Sequence, residues 1–341
     1  NTCDLLNCFP YGKVPKNPHE ADLYVSEIYR LSKNEIVHKI MKNHDFKKML
    51  LVGDERQIES IKFGNWFGIA NKLLNSKVEL TYNHRTSNQN LKFLWDLVRD
   101  LDEPDTIYER FVDGGFIHEL DERLFEKNSK DEIILCLNYN GLYGINNINK
   151  YMQEINEGKA TSWKVWTFKV GDRILFNESY YFRNYFYNNQ KGVIESIEEN
   201  DDKVTFIISV NHEESNNKEQ GTHIKWIKEE DNRDYYEIII DKDDDDDEEE
   251  WSEKVLVAPF QLGYAISIHK SQGLEYDSVK VVMTKEVQEQ ISHNIFYTAI
   301  TRAKEKLSIY CDKTSLEHIM KNFKKQTCEK DARIIQNKYQ I

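Results

Sequence analysis

The sequence predicts an α/β protein that is interrupted by a small all-β insert, and three observations support this fold class. Short, almost wholly apolar runs such as Met49–Val52 and 132–137 suit strands that are buried on both faces of a parallel sheet. Apolar residues at helical spacing, such as Leu91, Leu94 and Val98, lie between these runs. From about Trp163 the pattern changes to β-rich runs separated by polar turns, which is typical of a small barrel.

Capping residues and periodicity place the remaining predicted elements. A capping box at 32–35 opens a helix that runs to about Lys42, and Ser87 is predicted to cap a second helix. Apolar positions within 148–155 mark a third helix. The other predicted strands are 22–26, 164–170, Arg173–Phe176, 192–197, 203–210, 224–227, 235–240, 254–258, 280–283 and 306–311.

The composition excludes several classes of protein. Of 341 residues, 39% are hydrophobic and 31% are charged, as in soluble globular chains. The longest unbroken apolar run, 133–137, is far shorter than the ~20 residues of a membrane span, so no membrane partner is expected. The five cysteines are scattered and lack zinc-site spacing, which predicts no metal site and favours a reducing, cytoplasmic compartment.

Charge and aromatic residues are unevenly distributed. The net charge is −13, and the consecutive acids at 243–250 are interpreted as a solvated linker. The acidic total argues weakly against non-specific binding of polyanions but leaves a local basic groove open. Aromatic residues at 180–187 surround Arg183 and could stack nucleobases. We expect instead a barrel hairpin whose rings pack on a neighbouring domain.

Two segments place polar side chains next to predicted elements. The strand Met49–Val52 is followed by Gly53, Asp54 and, three positions later, Gln57. Asp54 and Gln57 therefore lie at the carboxyl edge of a sheet, where open α/β folds bind ligands. Arg85 lies just before the capped second helix. Taken alone, the first segment is equally compatible with a polar turn and the second with a surface arginine.

Two later segments carry a denser set of functional groups. Six consecutive positions, 267–272, combine hydroxyls, an imidazole, an ammonium and an amide, and Gly273 and Glu275 follow. Such donors suit phosphate oxygens and sugar hydroxyls. Arg302 follows the small and apolar residues of 297–301 and precedes a strand. It is either an arginine finger that stabilises a transferring phosphoryl group or one more surface arginine.

In this order the four segments resemble motifs III, IV, V and VI of superfamily 1 helicases, in particular the RecD-like branch. Residues 141–149, 171–175 and 188–192 resemble the parts that precede and open the β-barrel insert of that branch. The resemblance covers nearly the whole chain and implies RecA-like parallel-sheet domains, the first of them truncated. The implied division is 1–75 for the first RecA-like domain, 76–162 and 251–325 for the second, 163–242 for the inserted barrel and 243–250 for the acidic linker.

The resemblance also locates two motifs upstream. Segment 23–27 lies where the family has a strand ending in Asp-Glu, so Glu27 is kept and Ser26 replaces the aspartate that helps to hold Mg²⁺. Because a serine supplies no negative charge, a weakened Mg²⁺ site is implied. Residues 2–6 resemble motif Ia, and 9–20 correspond to a strand-separating pin. No Walker A sequence occurs in the chain, so we expect this chain alone not to hydrolyse ATP.

Roles for single residues follow from the resemblance, in a protein that uses ATP and Mg²⁺. Glu27 would act on the attacking water and Gln57 would sense the γ-phosphate. Transition-state charge would be stabilised from across the cleft between the RecA-like domains by Arg85 and Arg302. The expected nucleotide-binding positions are Ser26, Asp54, Gly273 and Glu275. The expected contacts to the backbone of a single strand are Thr2, Ser267, His269 and Lys270.

The resulting hypothesis is the C-terminal part of an ATP-dependent DNA helicase, a 5′→3′ translocase that unwinds duplexes. The rival is a catalytically decayed helicase-like protein that binds nucleic acid or acts as a scaffold. Ser26 favours the rival, whereas the retained Glu27, Gln57 and the two arginines disfavour it. A translocase on RNA is a third possibility, because no residue distinguishes single-stranded DNA from RNA.

Overall fold

A computed structural model describes most of the chain. The described residues are 23–26, 49–58, 66–74, 77–79, 84–101, 103–163, 166–177, 179, 181–214, 217–242, 255–324 and 328–339. The predicted helix at 32–42 and the acidic run at 243–250 lie outside them. Within the described ranges, no helix is both long enough and apolar enough to cross a membrane.

The described elements alternate at both ends of the chain and are purely β in its middle. The strands are β1 (Leu23–Ser26), β2 (Met49–Val52), β3 (Ile117–His118), β4 (Glu132–Cys136), β5 (Ala160–Trp163), β6 (Trp166–Lys169), β7 (Arg173–Phe176), β8 (Lys191–Glu199), β9 (Lys203–Asn211), β10 (Ile224–Glu230), β11 (Arg233–Asp241), β12 (Phe260–Leu262), β13 (Ala265–Ser267), β14 (Tyr276–Met283) and β15 (Ala303–Cys311). The helices are α1 (Trp66–Leu73), α2 (Gln89–Asp100), α3 (Pro104–Asp113), α4 (Ile145–Glu154), α5 (His293–Ile300), α6 (Lys313–Lys321) and α7 (Glu329–Tyr339).

The chain divides into two compact units. Unit 1 consists of Asn1–His118, Met283–Leu307 and Cys311–Ile341. Unit 2 consists of Glu119–Val282 and Ser308–Tyr310. Each unit is therefore built from stretches that are distant in the sequence.

In unit 1, helix α2 begins one residue later than the sequence predicts. Asn88, and not Ser87, is its N-cap: the Asn88 side-chain oxygen accepts hydrogen bonds from Asn90 N and Leu91 N. Asn88 has the extended backbone that an N-cap needs, so its side chain reaches the unpaired amides of the first turn. The predicted apolar face is confirmed, since the buried residues of α2 are Leu91, Leu94, Trp95, Leu97 and Val98.

The core of unit 1 is made mainly by helices packed around α5. The indole Nε1 of Trp95 donates to the carbonyl of Ile300 at 3.1 Å, which ties α2 to the end of α5. The rings of Phe111 and Phe296 meet edge-on with centroids 5.5 Å apart, which adds α3. Strands β1 and β2 pair in parallel, as two strands of an α/β domain do.

In unit 2, a parallel sheet confirms the α/β prediction. Strand β4 lies between β13 and β14 and pairs in parallel with both. All five residues of β4 are buried, as the apolar run that follows Glu132 predicts for a strand covered on both faces. The buried residues that pack on one face of this sheet are Leu124, Ile134, Cys136, Ile145, Ile148, Ala265, Val282 and Tyr310.

The β-rich middle of the chain forms a six-stranded antiparallel sheet in unit 2. Its strand order is β10-β11-β9-β8-β7-β12, and β5 and β6 form a separate hairpin. The predicted strands from 173 to 240 are confirmed: Arg173–Phe176 has the predicted bounds, and the other four are longer by up to three residues at an end. Closure of this sheet into a barrel stays a prediction.

Two predictions for the same region are wrong. No strand forms at 254–258 within the described residues; Val255 only exchanges hydrogen bonds with Asp241, at 2.8 and 3.0 Å, and the strand that follows is β12. Val255 and Ala258 are buried in the core without strand pairing, whereas Val257 is exposed. In the aromatic segment, Phe182 and Phe186 are buried in the core of the antiparallel sheet itself, rather than on another domain.

Candidate functional site

The turn that follows β2 is held together by hydrogen bonds among its own residues. The Asp54 carboxylate accepts hydrogen bonds from Arg56 N at 3.0 Å and from Gln57 Nε2 at 3.2 Å. The amide of Gln57 also donates to Asp54 O at 3.3 Å. Asp54 and Gln57, which the sequence places at the same sheet edge, are therefore in direct contact.

Helix α5 holds the backbone of this turn. Asn294 donates from Nδ2 to the carbonyls of Glu55 and Gln57, at 3.2 and 2.9 Å. One turn later, the Thr298 hydroxyl accepts from Ile58 N at 3.0 Å. Asn294 and Thr298 are buried, so these bonds are shielded from water and fix the turn to the helix.

The two predicted arginines meet at the end of α5. Arg85 donates from Nη1 to the carbonyl of Thr301 at 2.8 Å. Arg302 donates from Nε to the carbonyl of Thr298 at 2.9 Å and from Nη2 to the Thr301 hydroxyl at 3.2 Å. Its side chain is 1% exposed, so Arg302 belongs to the interior of unit 1 and is not a surface arginine.

The pKa of Tyr297 reflects the burial and the charges of this region. Burial, with a smaller contribution from the negative charge of Asp54, raises the pKa of Tyr297 to about 12. Arg99, Arg56 and Arg85 act in the opposite direction. In unit 1, one carboxylate and several guanidinium groups therefore lie near a neutral phenol.

The motif at 267–275 lies in unit 2, where β13 ends. We call residues 268–275 the polar turn. Ser267 Oγ accepts from Lys270 N at 3.1 Å, and Ser271 Oγ donates to the Ile268 carbonyl at 2.7 Å. Both hydroxyls therefore shape the turn itself. Gly273 has φ +82°, a left-handed conformation that favours glycine and closes the turn before Glu275.

Two half-buried cationic or titratable groups lie in the polar turn. Lys270 donates from Nζ to Gln261 Oε1 at 3.0 Å, and burial lowers its pKa from the ordinary value. Burial also lowers the pKa of His269. His269 is therefore neutral at pH 7, because its ordinary value of about 6.5 already lies below that pH.

Some predicted residues fall outside the described part of the chain. Thr2 and Glu27 are not described. Ser26 ends β1, and only its backbone placement is described. Among the described residues, Asp54, Gln57, Arg85 and Arg302 lie in unit 1, whereas Ser267, His269, Lys270, Gly273 and Glu275 lie in unit 2.

A separate charged cluster lies on the antiparallel sheet. His212, Glu229 and Asp234 offer ligand atoms within 4.8 Å of one another. However, Lys218 Nζ already lies 3.0 Å from Glu229 and 3.2 Å from Asp234. An ammonium therefore occupies the centre of negative charge, and the cluster is best described as an ion-pair network.

Comparison with known proteins gives the family context. The family described as UvrD-like helicase C-terminal domain matches residues 262–310. The RecD subunit of the RecBCD enzyme from Buchnera aphidicola is 24% identical over 200 residues, which are 58% of this chain and 27% of that protein. The ATP-dependent RecD2 DNA helicase of Deinococcus radiodurans is 41% identical over 46 residues, 14% of this chain and 6% of that protein. These matches support the resemblance to superfamily 1 helicases of the RecD-like branch.

Solved structures support the fold of this chain. A Pif1 helicase from Candida albicans is similar with a TM-score of 0.56 and 16% identity, over 93% of this chain and 76% of that one. A Bacteroides Pif1 helicase in complex with ADP-AlF3 and ssDNA has a TM-score of 0.54 at 14% identity, over 93% and 75%. The parallel-sheet α/β core therefore resembles the RecA-like domains of such helicases. The chain spans only about a quarter of the Buchnera RecD subunit and less of the RecD2 helicase.

Several residues that shape the two candidate sites were missed from the sequence. Asn294 and Thr298 hold the turn after β2, as described above. Asn149, on α4, holds the start of β13: it accepts from Tyr264 N and Ala265 N and donates to the Ala265 carbonyl at 2.9 Å. An asparagine on the buried side of a predicted helix was the available signal, because a buried amide needs partners.

Proposed function

We propose that the chain forms the C-terminal part of an ATP-dependent DNA helicase that moves 5′→3′ along a single strand and unwinds duplexes. The observation that carries this proposal is the convergence of Gln57, Arg85 and Arg302 on helix α5. Arg85 and Arg302 both donate to Thr301, the first to its carbonyl and the second to its hydroxyl. The similarity to the UvrD-like helicase C-terminal domain at 262–310 supports the same conclusion.

The donor set of unit 1 suits a nucleotide polyphosphate. Guanidinium groups and a side-chain amide are the donors that bind phosphate oxygens well. ATP supplies the phosphoanhydride bond whose hydrolysis powers such a motor. In the proposal Gln57 senses the γ-phosphate, and Arg85 and Arg302 stabilise charge that develops during transfer. Glu27 positions the attacking water.

The proposal assigns a weakened site to a divalent cation. Mg²⁺ prefers charged oxygen ligands. Ser26 offers only a hydroxyl at the position of the family aspartate, and the Asp54 carboxylate already accepts two hydrogen bonds from its own turn. We therefore expect the protein to need more Mg²⁺ than a protein with aspartate at position 26.

Unit 2 is assigned the contact with the nucleic acid. Ser267, His269 and Lys270 lie in or next to the polar turn, as do Gly273 and Glu275, which the proposal places near the nucleotide. Ser267, His269 and Lys270 are single-point donors suited to phosphates, without a bidentate set for reading bases. The proposed partner is single-stranded DNA with little sequence preference. The proposal also retains the division predicted from sequence, the barrel closure of the insert at 163–242 and an intracellular location.

The decisive experiment measures ATP turnover stimulated by single strands in the complete protein that carries this chain. Arg302→Ala should lower turnover by on the order of 10³-fold while ATP affinity changes little. Arg123→Ala is the control, because that exposed arginine pairs with Asp121 in its own loop. If the complete protein does not turn over ATP, or if Arg302→Ala matches the control, the scaffold alternative replaces the motor.

Binding by the isolated chain tests the nucleic-acid contact separately. Labelled single strands titrated at several salt concentrations should give a shallow slope, with each neutralised phosphate contributing about −0.7. Lys270→Ala should make the slope shallower by roughly that amount. His269→Ala should weaken binding with little change in slope, since a neutral imidazole releases no counterion. Tight binding to one base sequence that Lys270→Ala leaves intact would place the strand on another surface.

A further inference from the structure

We propose that the antiparallel sheet positions the polar turn through two side chains, Asp172 and Lys191, which hold its two ends. Both residues belong to unit 2, as does the whole polar turn. They are positioning residues, because they act on the turn and not on a ligand. What the inference says about activity rests on the function proposed above, whereas the mechanical link does not.

Asp172 holds the chain just before the polar turn. It is fully buried, and its Oδ1 accepts from the Tyr264 hydroxyl at 2.8 Å and from Asn156 Nδ2 at 2.8 Å. Its Oδ2 accepts from Gln153 Nε2 at 2.6 Å and from Lys169 N at 2.7 Å. The carboxylate thus joins α4, the β5–β6 hairpin and Tyr264, the residue immediately before β13.

Lys191 holds the end of the polar turn. Its Nζ donates to the Glu275 carbonyl at 2.6 Å and to both oxygens of Asp131 at 2.8 and 3.1 Å. The ammonium also lies 4.0 Å from the ring centroid of Tyr276, within cation–π distance. Asp131 in turn accepts from Asp277 N at 3.3 Å. One lysine therefore uses all three of its donors where the polar turn enters β14.

Asp172 and Lys191 are connected to each other through one pair of strands. Asp172 directly precedes β7 and Lys191 begins β8, and Leu175 of β7 is paired with Lys191. The pairing is tight at Gly192, where a Cβ would lie only 3.1 to 3.3 Å from side-chain atoms of Ile208 and Ile174. A displacement of this strand pair therefore moves both ends of the polar turn together, and the loss of either side chain loosens one end.

Hydrogen exchange in the isolated chain tests the mechanical link without any assumption about activity. Lys191→Met keeps much of the apolar stem and removes the charge and the donors. The amides of Leu274 and Asp277, which are bonded to Ser271 O and the Asp131 carboxylate, should exchange about tenfold faster. Lys191→Arg should restore much of the protection, because it keeps a cation that can reach the same oxygens.

Lys242→Met is the matched control. Lys242 pairs with Glu199, at the opposite end of β8, with Nζ 2.6 Å from Glu199 Oε1. It should leave exchange in the polar turn unchanged. The inference is overturned if Lys191→Met does not accelerate exchange there, or if Lys242→Met accelerates it equally. Protection along β8 itself, unchanged in both variants, checks that the sheet remains folded.

The complete protein separates this inference from the proposed function. If the polar turn serves the motor, Lys191→Met should lower strand-stimulated turnover several-fold and Lys191→Arg should recover it. Faster exchange in the turn with unchanged turnover would support the mechanical link and remove the turn from the motor. Unchanged exchange with lowered turnover would overturn the link and leave the motor proposal standing.

Discussion

Removal of one hydroxyl, in Tyr264→Phe, should destabilise unit 2 measurably. The Tyr264 hydroxyl donates to the buried carboxylate of Asp172 at 2.8 Å. Burial and the nearby carboxylate raise the pKa of Tyr264, so the phenol stays protonated and remains a donor at neutral pH. The substitution keeps the ring and its packing and deletes only this hydrogen bond.

The expected magnitude follows from the charge of the acceptor. A hydrogen bond to a charged group contributes about 1.5–3 kcal/mol, against about 1 kcal/mol for a neutral pair. Asp172 keeps its three other donors in the variant, which limits the loss. We therefore expect about 2 kcal/mol. Tyr310→Phe serves as the control and should cost about 1 kcal/mol, since the Tyr310 hydroxyl donates at 3.0 Å to the neutral carbonyl of Arg123.

Native-state hydrogen exchange is the appropriate assay, because a chain with two units need not unfold in one step. The free energy of opening is read at the amides of β7 and β8, next to Asp172. A loss smaller than about 0.5 kcal/mol, or smaller than the loss in Tyr310→Phe, would refute the argument that the charged acceptor dominates.

Two further predictions concern unit 1. Asn88→Ala should lower the stability of α2 by about 1 kcal/mol because it removes the N-cap, whereas Ser87→Ala should be nearly neutral; thermal melting of both variants compares them, and equal effects would contradict the cap assignment. The folded state raises the pKa of Tyr297 to about 12, so it favours the neutral phenol. The contribution of this phenol to the free energy of unfolding should be complete below pH 10 and should be lost as the pH rises from 10 towards 12. Denaturant unfolding at pH 9 and 11 should show a smaller loss for Tyr297→Phe than for the wild type; an equal loss would mean that Tyr297 titrates normally.

The parts of the fold that the sequence predicted well are those where burial follows a simple period. Along β9 and β11 the buried positions largely alternate, although the residue types alternate only in part, since Ile238, Ile239 and Ile240 are consecutive in β11. β4 is buried throughout and reads as one apolar run. By contrast, Val255 and Ala258 are buried without strand pairing, and an apolar run alone does not distinguish core filling from strand pairing.

The candidate site was predictable in its residue types and not in its contacts. Asp54, Gln57 and the two arginines follow from the motif order, and the structure brings them to α5. The local sequence does not show that Arg302 is buried. In the structure its guanidinium group donates to the Thr298 carbonyl and the Thr301 hydroxyl, in the helix turn that precedes it. Asp172 is a stronger example: the side chains that surround it come from Gln153, Asn156 and Tyr264, which only the tertiary fold brings together.

The two ends of the polar turn differ in their response to ionic strength. The donors on Asp172 are amides, a phenol and a backbone N–H, all uncharged, and Asp172 itself is buried. The Lys191–Asp131 pair is about 30% exposed at both partners, and at 1 M salt the screening length is only about 3 Å. Concentrated salt therefore weakens the attachment of the polar turn only at its Lys191 end. A salt titration of nucleic-acid binding would then contain a contribution from the protein's own deformation, and Lys191→Met, which has no pair left to screen, would report the counterion release alone.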